Sequence, residues 1–170
     1  MTRPRLMLAD DHTILVEAFR KLLEPHYEVV ATVADGRSLL EIAPQVKPDV
    51  IVVDIGMPLM NGLEAGLRLK QQMPDVKLIF LTMNGDPDLA VEAMRCGASG
   101  YLLKSSAAEE LQRAIQMALK CRRYVTPLIA QSFAKLVYLH NVSLPWCEHF
   151  PLSRSRGVLV CGINSIRYEV

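Results

Sequence analysis

At 170 residues the chain can hold one well-cored domain and an appendage, but hardly two full domains. A hydrophobic fraction of 51% with 22% charged residues describes a soluble globular protein, and a net charge of +1 excludes whole-molecule charge as a basis for binding nucleic acid. No apolar run reaches bilayer length, the N-terminus leads straight into a strand without a signal-peptide core, and the four cysteines include no C-x-x-C pair. A cytoplasmic protein with reduced thiols and no membrane contact is expected.

The apolar run Leu6–Ala9 predicts a first strand over about 5–9, ending at Asp10 and Asp11. Asp11 then reads as the start of a helix to about Leu23, with Ile14, Leu15, Ala18, Phe19 and Leu22 on one buried face and Pro25 as its stop. Tyr27–Val33 is the second strand, followed by the turn Asp35-Gly36 and a short helix with Leu39, Leu40 and Ala43 inward. Val50–Val53 is the third strand and runs into Asp54. The connection Ile55–Gly62 is long and rich in Gly and Pro, as functional loops often are.

Helix 61–73, a fourth strand ending at Thr82, helix 88–96 and a fifth strand over about 100–103, ending at Lys104, follow in turn. Gly97 suits a helix C-terminus, where φ is often positive. Ser106 and Glu109 have the spacing of a capping box for a helix to about Lys120. Its outer side, with Glu110, Arg113 and Lys120, is free for a partner. Short strands alternating with amphipathic helices predict an α/β fold with a parallel sheet wound on both faces by right-handed crossovers. Thr126-Pro127 then begins one more helix, to about Tyr138. Residues 141–170, with Pro145, Pro151 and a lone Trp146, show no period and read as an irregular tail. The organisation is therefore a domain over 1–122, a linker and helix over 123–140, and the tail.

Ligands of open α/β sheets bind outside the carboxyl ends of the strands. That end would collect Asp10, Asp11, Asp54, Thr82 and Lys104. Taken singly each has a plain explanation: a helix cap, a turn residue, a strand-end threonine, a solvated lysine. Three clustered carboxylates repel unless a cation joins them, and an all-oxygen set suits Mg²⁺. Such a site presents one carboxylate to a phosphoryl group. His140, Cys147, His149 and Cys161 fit no structural zinc spacing, and Arg154 and Arg156 read as a solvated tail.

Asp10-Asp11, Asp54-Ile-Gly-Met-Pro-x-Met-Asn-Gly, Leu-Thr82-Met and Gly-Tyr101-Leu-Leu-Lys104 together resemble the receiver domain of two-component response regulators, over roughly residues 4–122. Arg-Arg-Tyr-Val-Thr-Pro and the following helix resemble the linker of the LuxR-type (NarL-like) branch. The resemblance implies a flavodoxin-like, five-stranded sheet of order 2-1-3-4-5. It implies a phosphoacceptor signalling protein rather than an enzyme with turnover. Asp54 would be phosphorylated by a sensor histidine kinase. Mg²⁺ would be held by Asp11, Asp54 and the Gly56 carbonyl, with Asp10 helping through water. Lys104 would pair with phosphoryl oxygens, and Thr82 with Tyr101 would switch the surface of the fourth helix, fifth strand and fifth helix for homodimerisation or partner binding.

Ser105 follows Lys104 where many receivers have proline, and Met83 follows Thr82 where many have a smaller residue. A DNA-binding regulator is the alternative, but after the faint echo at Leu152–Leu159 too few residues remain for a helix-turn-helix, so the tail reads as truncated or replaced. A dehalogenase-like phosphatase would carry D-x-D on the first strand, and here Gly56 stands two after Asp54. A degenerate receiver used as a scaffold would not keep the full residue set.

Overall fold

The computed structural model describes residues 3–139 and three short segments, 153–155, 158–160 and 167–169. The elements alternate: β1 Arg5–Ala9, α1 Thr13–Leu23, β2 Glu28–Val33, α2 Gly36–Val46, β3 Val50–Asp54, α3 Gly62–Gln72, β4 Lys77–Thr82, α4 Pro87–Arg95, β5 Gly100–Leu103 and α5 Ala107–Leu119. β6 Tyr124–Val125 and α6 Pro127–Leu139 complete this part. The sheet order is β2-β1-β3-β4-β5-β6 with every pair parallel.

Each strand feeds two cores because its side chains alternate. Met7, Ala9, Ile51, Val53, Leu78, Phe80 and Tyr101 face α2, α3, α4 and α6. Leu6, Leu8, Val50, Val52, Ile79, Leu81 and Leu102 face α1 and α5. β3 is buried along its whole length, which is why it reads as a continuous apolar run. The chain passes from β1 to β2 on one side and to β3 on the other, so the crevice opens at the carboxyl ends of β1 and β3.

The doubly wound parallel sheet and the order of its first five strands agree with expectation, and four details differ. First, the sheet has a sixth strand. Tyr124 and Val125 pair with Gly100 and Tyr101, and two residues are too few to show a period in sequence. Both are buried, and Ile129, Ala130 and Phe133 of α6 join the core beside Ala90, Val91 and Met94 of α4. Second, α1 starts at Thr13 with His12 at its N-cap, and Asp11 caps nothing. Its buried stripe centres on Phe19, with Val16 and Leu23 buried and Leu15 and Leu22 half-buried, while Ile14 is 89% exposed and Ala18 is exposed. At 100° per residue, position 18 falls 100° from Phe19 and position 14 about 140° from it, both outside that stripe.

Third, the Ser106 side chain makes no cap bond for α5. Its Oγ lies 3.4 Å from the Leu103 carbonyl and 3.4 Å from Thr126 Oγ1. Glu110 is not free either, because it accepts a hydrogen bond from Thr126 Oγ1 at 2.9 Å. Fourth, the described parts of the tail are not irregular. Ser153–Ser155, Val158–Val160 and Arg167–Glu169 form a three-stranded antiparallel sheet of order β7-β8-β9. Strands of three residues are too short for a pattern of two to stand out in the sequence. The remaining tail residues, including His140, Cys147 and His149, lie outside the described residues.

One glycine positions the site loop, and another ends α4 at the opposite end of the sheet. A Cβ on Gly62 would collide with the Asp54 carbonyl, so the start of α3 packs directly on the end of β3. Gly97 takes φ +88° after α4, the left-handed conformation expected for it.

Candidate functional site

Asp10 lies just past β1, Asp54 ends β3, Thr82 ends β4 and Lys104 follows β5. Asp10, Asp54 and Thr82 are buried. The sheet ladder carries on past the strands to hold them, with Ile55 N bonded to Leu81 O at 2.9 Å and Lys104 N to Thr82 O at 2.8 Å. Met57, buried, anchors the loop after Asp54, and Asn61 closes it by accepting the Glu64 N–H at 2.8 Å as the cap of α3.

Lys104 reaches back across the sheet end. Its Nζ is 2.8 Å from Asp10 Oδ2 and 2.9 Å from Asp54 Oδ2, and its side chain is only 5% exposed. Burial acts to lower the ammonium pKa, but hydrogen bonds and charge from Asp10 and Asp54 outweigh it and hold Lys104 above the usual lysine range. Asp10 Oδ2 is buried, with this ammonium as its partner. Asp11 is on the rim and exposed. A Cβ on Gly56 would lie 3.6 Å from Asp54 Oδ2, so the Gly56 backbone stands beside the carboxylate.

Thr82 and Tyr101 meet through one loop. Thr82 Oγ1 accepts the Asn84 N–H at 3.0 Å, and the Tyr101 hydroxyl donates to the Asn84 carbonyl at 3.2 Å. Burial pushes the Tyr101 phenol up to about 12, with a hydrogen bond to Thr82 acting the other way. The same loop touches α6, since a Cβ on Gly85 would lie 3.5 Å from Ile129 Cγ2.

Every residue expected at the site is thus at the carboxyl end of the sheet, with Tyr101 on the neighbouring strand. Two participants were not anticipated. His12 Nδ1 lies 3.0 Å from Asp10 Oδ1 and 3.0 Å from Asp11 Oδ1. Its place directly after two acids was the available signal. Asn84 acts through its backbone, which residue type does not reveal. The ligand atoms of Asp10, Asp11, His12 and Asp54 all lie within 4.8 Å of one another. Three carboxylates with one imidazole are chemically suited to a divalent cation.

Residues 6–116 match the response regulator receiver domain. The chain is 36% identical over 133 residues to the transcriptional regulatory protein DegU of Brevibacillus brevis, covering 77% of this chain and 56% of that one. Its fold superposes on a LuxR-family two-component response regulator from Aurantimonas sp. SI85-9A1 with a TM-score of 0.75 and 38% identity, over 79% of this chain and 97% of the other. The isolated receiver domain of RcsB from Salmonella enterica serovar Typhimurium, solved with phosphomimetic BeF3-, superposes at a TM-score of 0.71 and 25% identity, over 76% and 98%. RcsB dimers bound to DNA superpose at 0.72 and 25%, over 79% and 69%.

The chain belongs to the response regulator receiver family of two-component systems, and its relatives include LuxR-type transcription regulators. It is a signalling receiver rather than a member of a classical enzyme family. It spans about half the length of the curated relative DegU. Among the described residues no helix is long and apolar enough to cross a membrane.

Proposed function

We propose that Asp54 is the phosphoacceptor of this receiver and that a sensor histidine kinase is the donor. The observation that carries this reading is the buried Asp54 carboxylate, paired with Lys104 at 2.9 Å in the crevice that also holds Asp10 and Asp11. An Asp54 oxygen attacks the phosphorus of a phosphohistidine. The P–N bond breaks, the imidazole leaves and takes up a proton, and an aspartyl phosphate forms. Asp11, Asp54 and the Gly56 carbonyl would hold Mg²⁺ directly, with Asp10 assisting through water. The ion would supply charge neutralisation between the incoming phosphoryl group and the acids. Lys104 transfers its pairing from Asp10 and Asp54 to the phosphoryl oxygens.

Thr82 then turns its hydroxyl from Asn84 N to the phosphoryl group, and Tyr101 follows through the shared Asn84 loop. The surface of α4, β5 and α5 changes its preference for a second copy or another partner, by a coupling on the order of 1–3 kcal/mol. The longer relative DegU is named a transcriptional regulatory protein and RcsB dimers are solved bound to DNA, while for this chain self-association is the proposed readout. Beryllofluoride with Mg²⁺ should shift the size-exclusion profile of the wild type but not of Asp54→Asn, and Thr82→Ala should weaken the shift. An identical shift in Asp54→Asn would remove Asp54 from this role.

A further inference from the structure

We propose that His12 is a nitrogen ligand of the acid-pocket metal site, widening its preference from Mg²⁺ toward divalent cations of the iron-to-zinc series. This rests on the metal-binding reading above and adds a ligand to it. His12 occupies the N-cap position of α1, yet its side chain makes no cap bond, and that side chain is 62% exposed. Neither helix capping nor core packing accounts for its position. The turn is fixed by its own backbone, since His12 N donates to Asp10 Oδ1 at 2.9 Å. That turn brings Nδ1 back over the acid pair, 3.0 Å from one oxygen of each.

The demands on Nδ1 conflict. Lys104 Nζ at 3.3 Å needs its lone pair, while the two carboxylates need a proton there. One nitrogen cannot meet both. A cation beside them takes lone pairs directly from His12 Nδ1 and Asp11, with Asp10 assisting through water. An octahedral ion with bonds of about 2.1 Å sets adjacent ligands about 3.0 Å apart and opposite ones about 4.2 Å apart. His12 Nδ1 is 3.0 Å from the Asp11 oxygen, the adjacent-ligand spacing, and the four-residue set spreads no wider than 4.8 Å, so a small contraction would close it on one ion. Imidazole suits Fe, Ni, Cu and Zn, whereas an all-oxygen set suits Mg²⁺, so the added nitrogen changes which ions compete.

The test is calorimetric titration of the untagged full chain with Mg²⁺ and, separately, Ni²⁺, in the wild type, His12→Ala and His12→Gln. Ni²⁺ binding that persists in Asp11→Asn/Asp54→Asn is subtracted as background. Ni²⁺ affinity should fall about tenfold in both His12 variants while Mg²⁺ affinity changes less than about twofold. Wild-type Ni²⁺ should also broaden the His12 ring resonances beyond detection. Equal losses for the two ions would overturn the proposal in favour of a positioning role, and unchanged affinities would overturn it outright. Absence of Mg²⁺ binding to wild type would instead bring down the underlying metal-site reading and this proposal with it.

Discussion

The mouth of the sheet and the α4–α6 seam are both buried, but they are built from opposite materials. At the seam Ala90, Val91, Met94, Ile129, Ala130 and Phe133 pack apolar surface on apolar surface. At the mouth lie three of the five buried polar residues among those described, Asp10, Asp54 and Thr82, with Lys104 drawn in beside them. Burying charge costs stability unless it is paired, whereas burying methyl and phenyl groups supplies it. A region that breaks the usual rule of apolar interiors is where function is to be sought, and the seam carries stability instead. The two meet at Asn84 and Gly85, between the Thr82 hydroxyl and Ile129.

The contrast can be broken most forcefully at the seam. Phe133 is 1% exposed, so Phe133→Ala should cost about 3–5 kcal/mol in denaturant unfolding. A loss below about 1 kcal/mol would mean that α6 is not part of the core. At the mouth, Lys104→Ala leaves Asp10 and Asp54 facing each other without compensation. A loss of about 2–3 kcal/mol is expected, discounted from a fully buried pair because Asp11 opens to solvent. Adding Asp54→Asn to this variant, or saturating it with Mg²⁺, should recover much of that loss. If the double variant is no more stable than the single one, charge is not what Lys104 offsets.

Alkali sharpens the comparison. Burial pushes both Tyr101 and Tyr124 up to about 12, and for Tyr124 the Glu110 charge adds to it. Below pH 10 both phenols are protonated whether the chain is folded or not, so stability does not depend on them. Between pH 10 and 12 the unfolded chain gives up these protons first, so stability falls as pH rises, by up to about 2–3 kcal/mol per phenol. Lys104, also raised, adds to the decline: its contribution is whole below the ordinary lysine pKa of about 10.4 and is lost as pH rises from there through its raised folded value. Tyr101→Phe should flatten the decline seen in unfolding midpoints against pH. An equal slope in this variant would assign the decline to other groups. The smallest effect belongs to the exposed flank of α1, where Ile14→Ser should stay within about 0.5 kcal/mol of wild type. A large loss would restore Ile14 to the buried face.

Much of this architecture was legible in the sequence because each buried parallel strand is an unbroken apolar run that ends in a polar residue. Asp54, Thr82 and Lys104 therefore announced the strand ends and, with them, where the candidate site lies. The face of α1 was misread because Ile14 and Ala18 are apolar yet lie beside the stripe rather than in it, and apolar side chains are common on surfaces. β6 was read as linker because pairing of Tyr124 and Val125 with β5 is a tertiary fact without a local period. The ion pairs of Lys104, the position of His12 between two carboxylates and the loop joining Thr82 to Tyr101 depend on how separate strand ends converge, which spacing along the chain does not encode.

The most direct test of the central claim is intact-mass spectrometry after incubation with acetyl phosphate and Mg²⁺, in wild type and Asp54→Asn. The account predicts one added phosphoryl group on the wild type, dependent on Mg²⁺ and absent from Asp54→Asn. A phosphoryl group of undiminished yield on Asp54→Asn, or none on wild type with Mg²⁺ present, would contradict it.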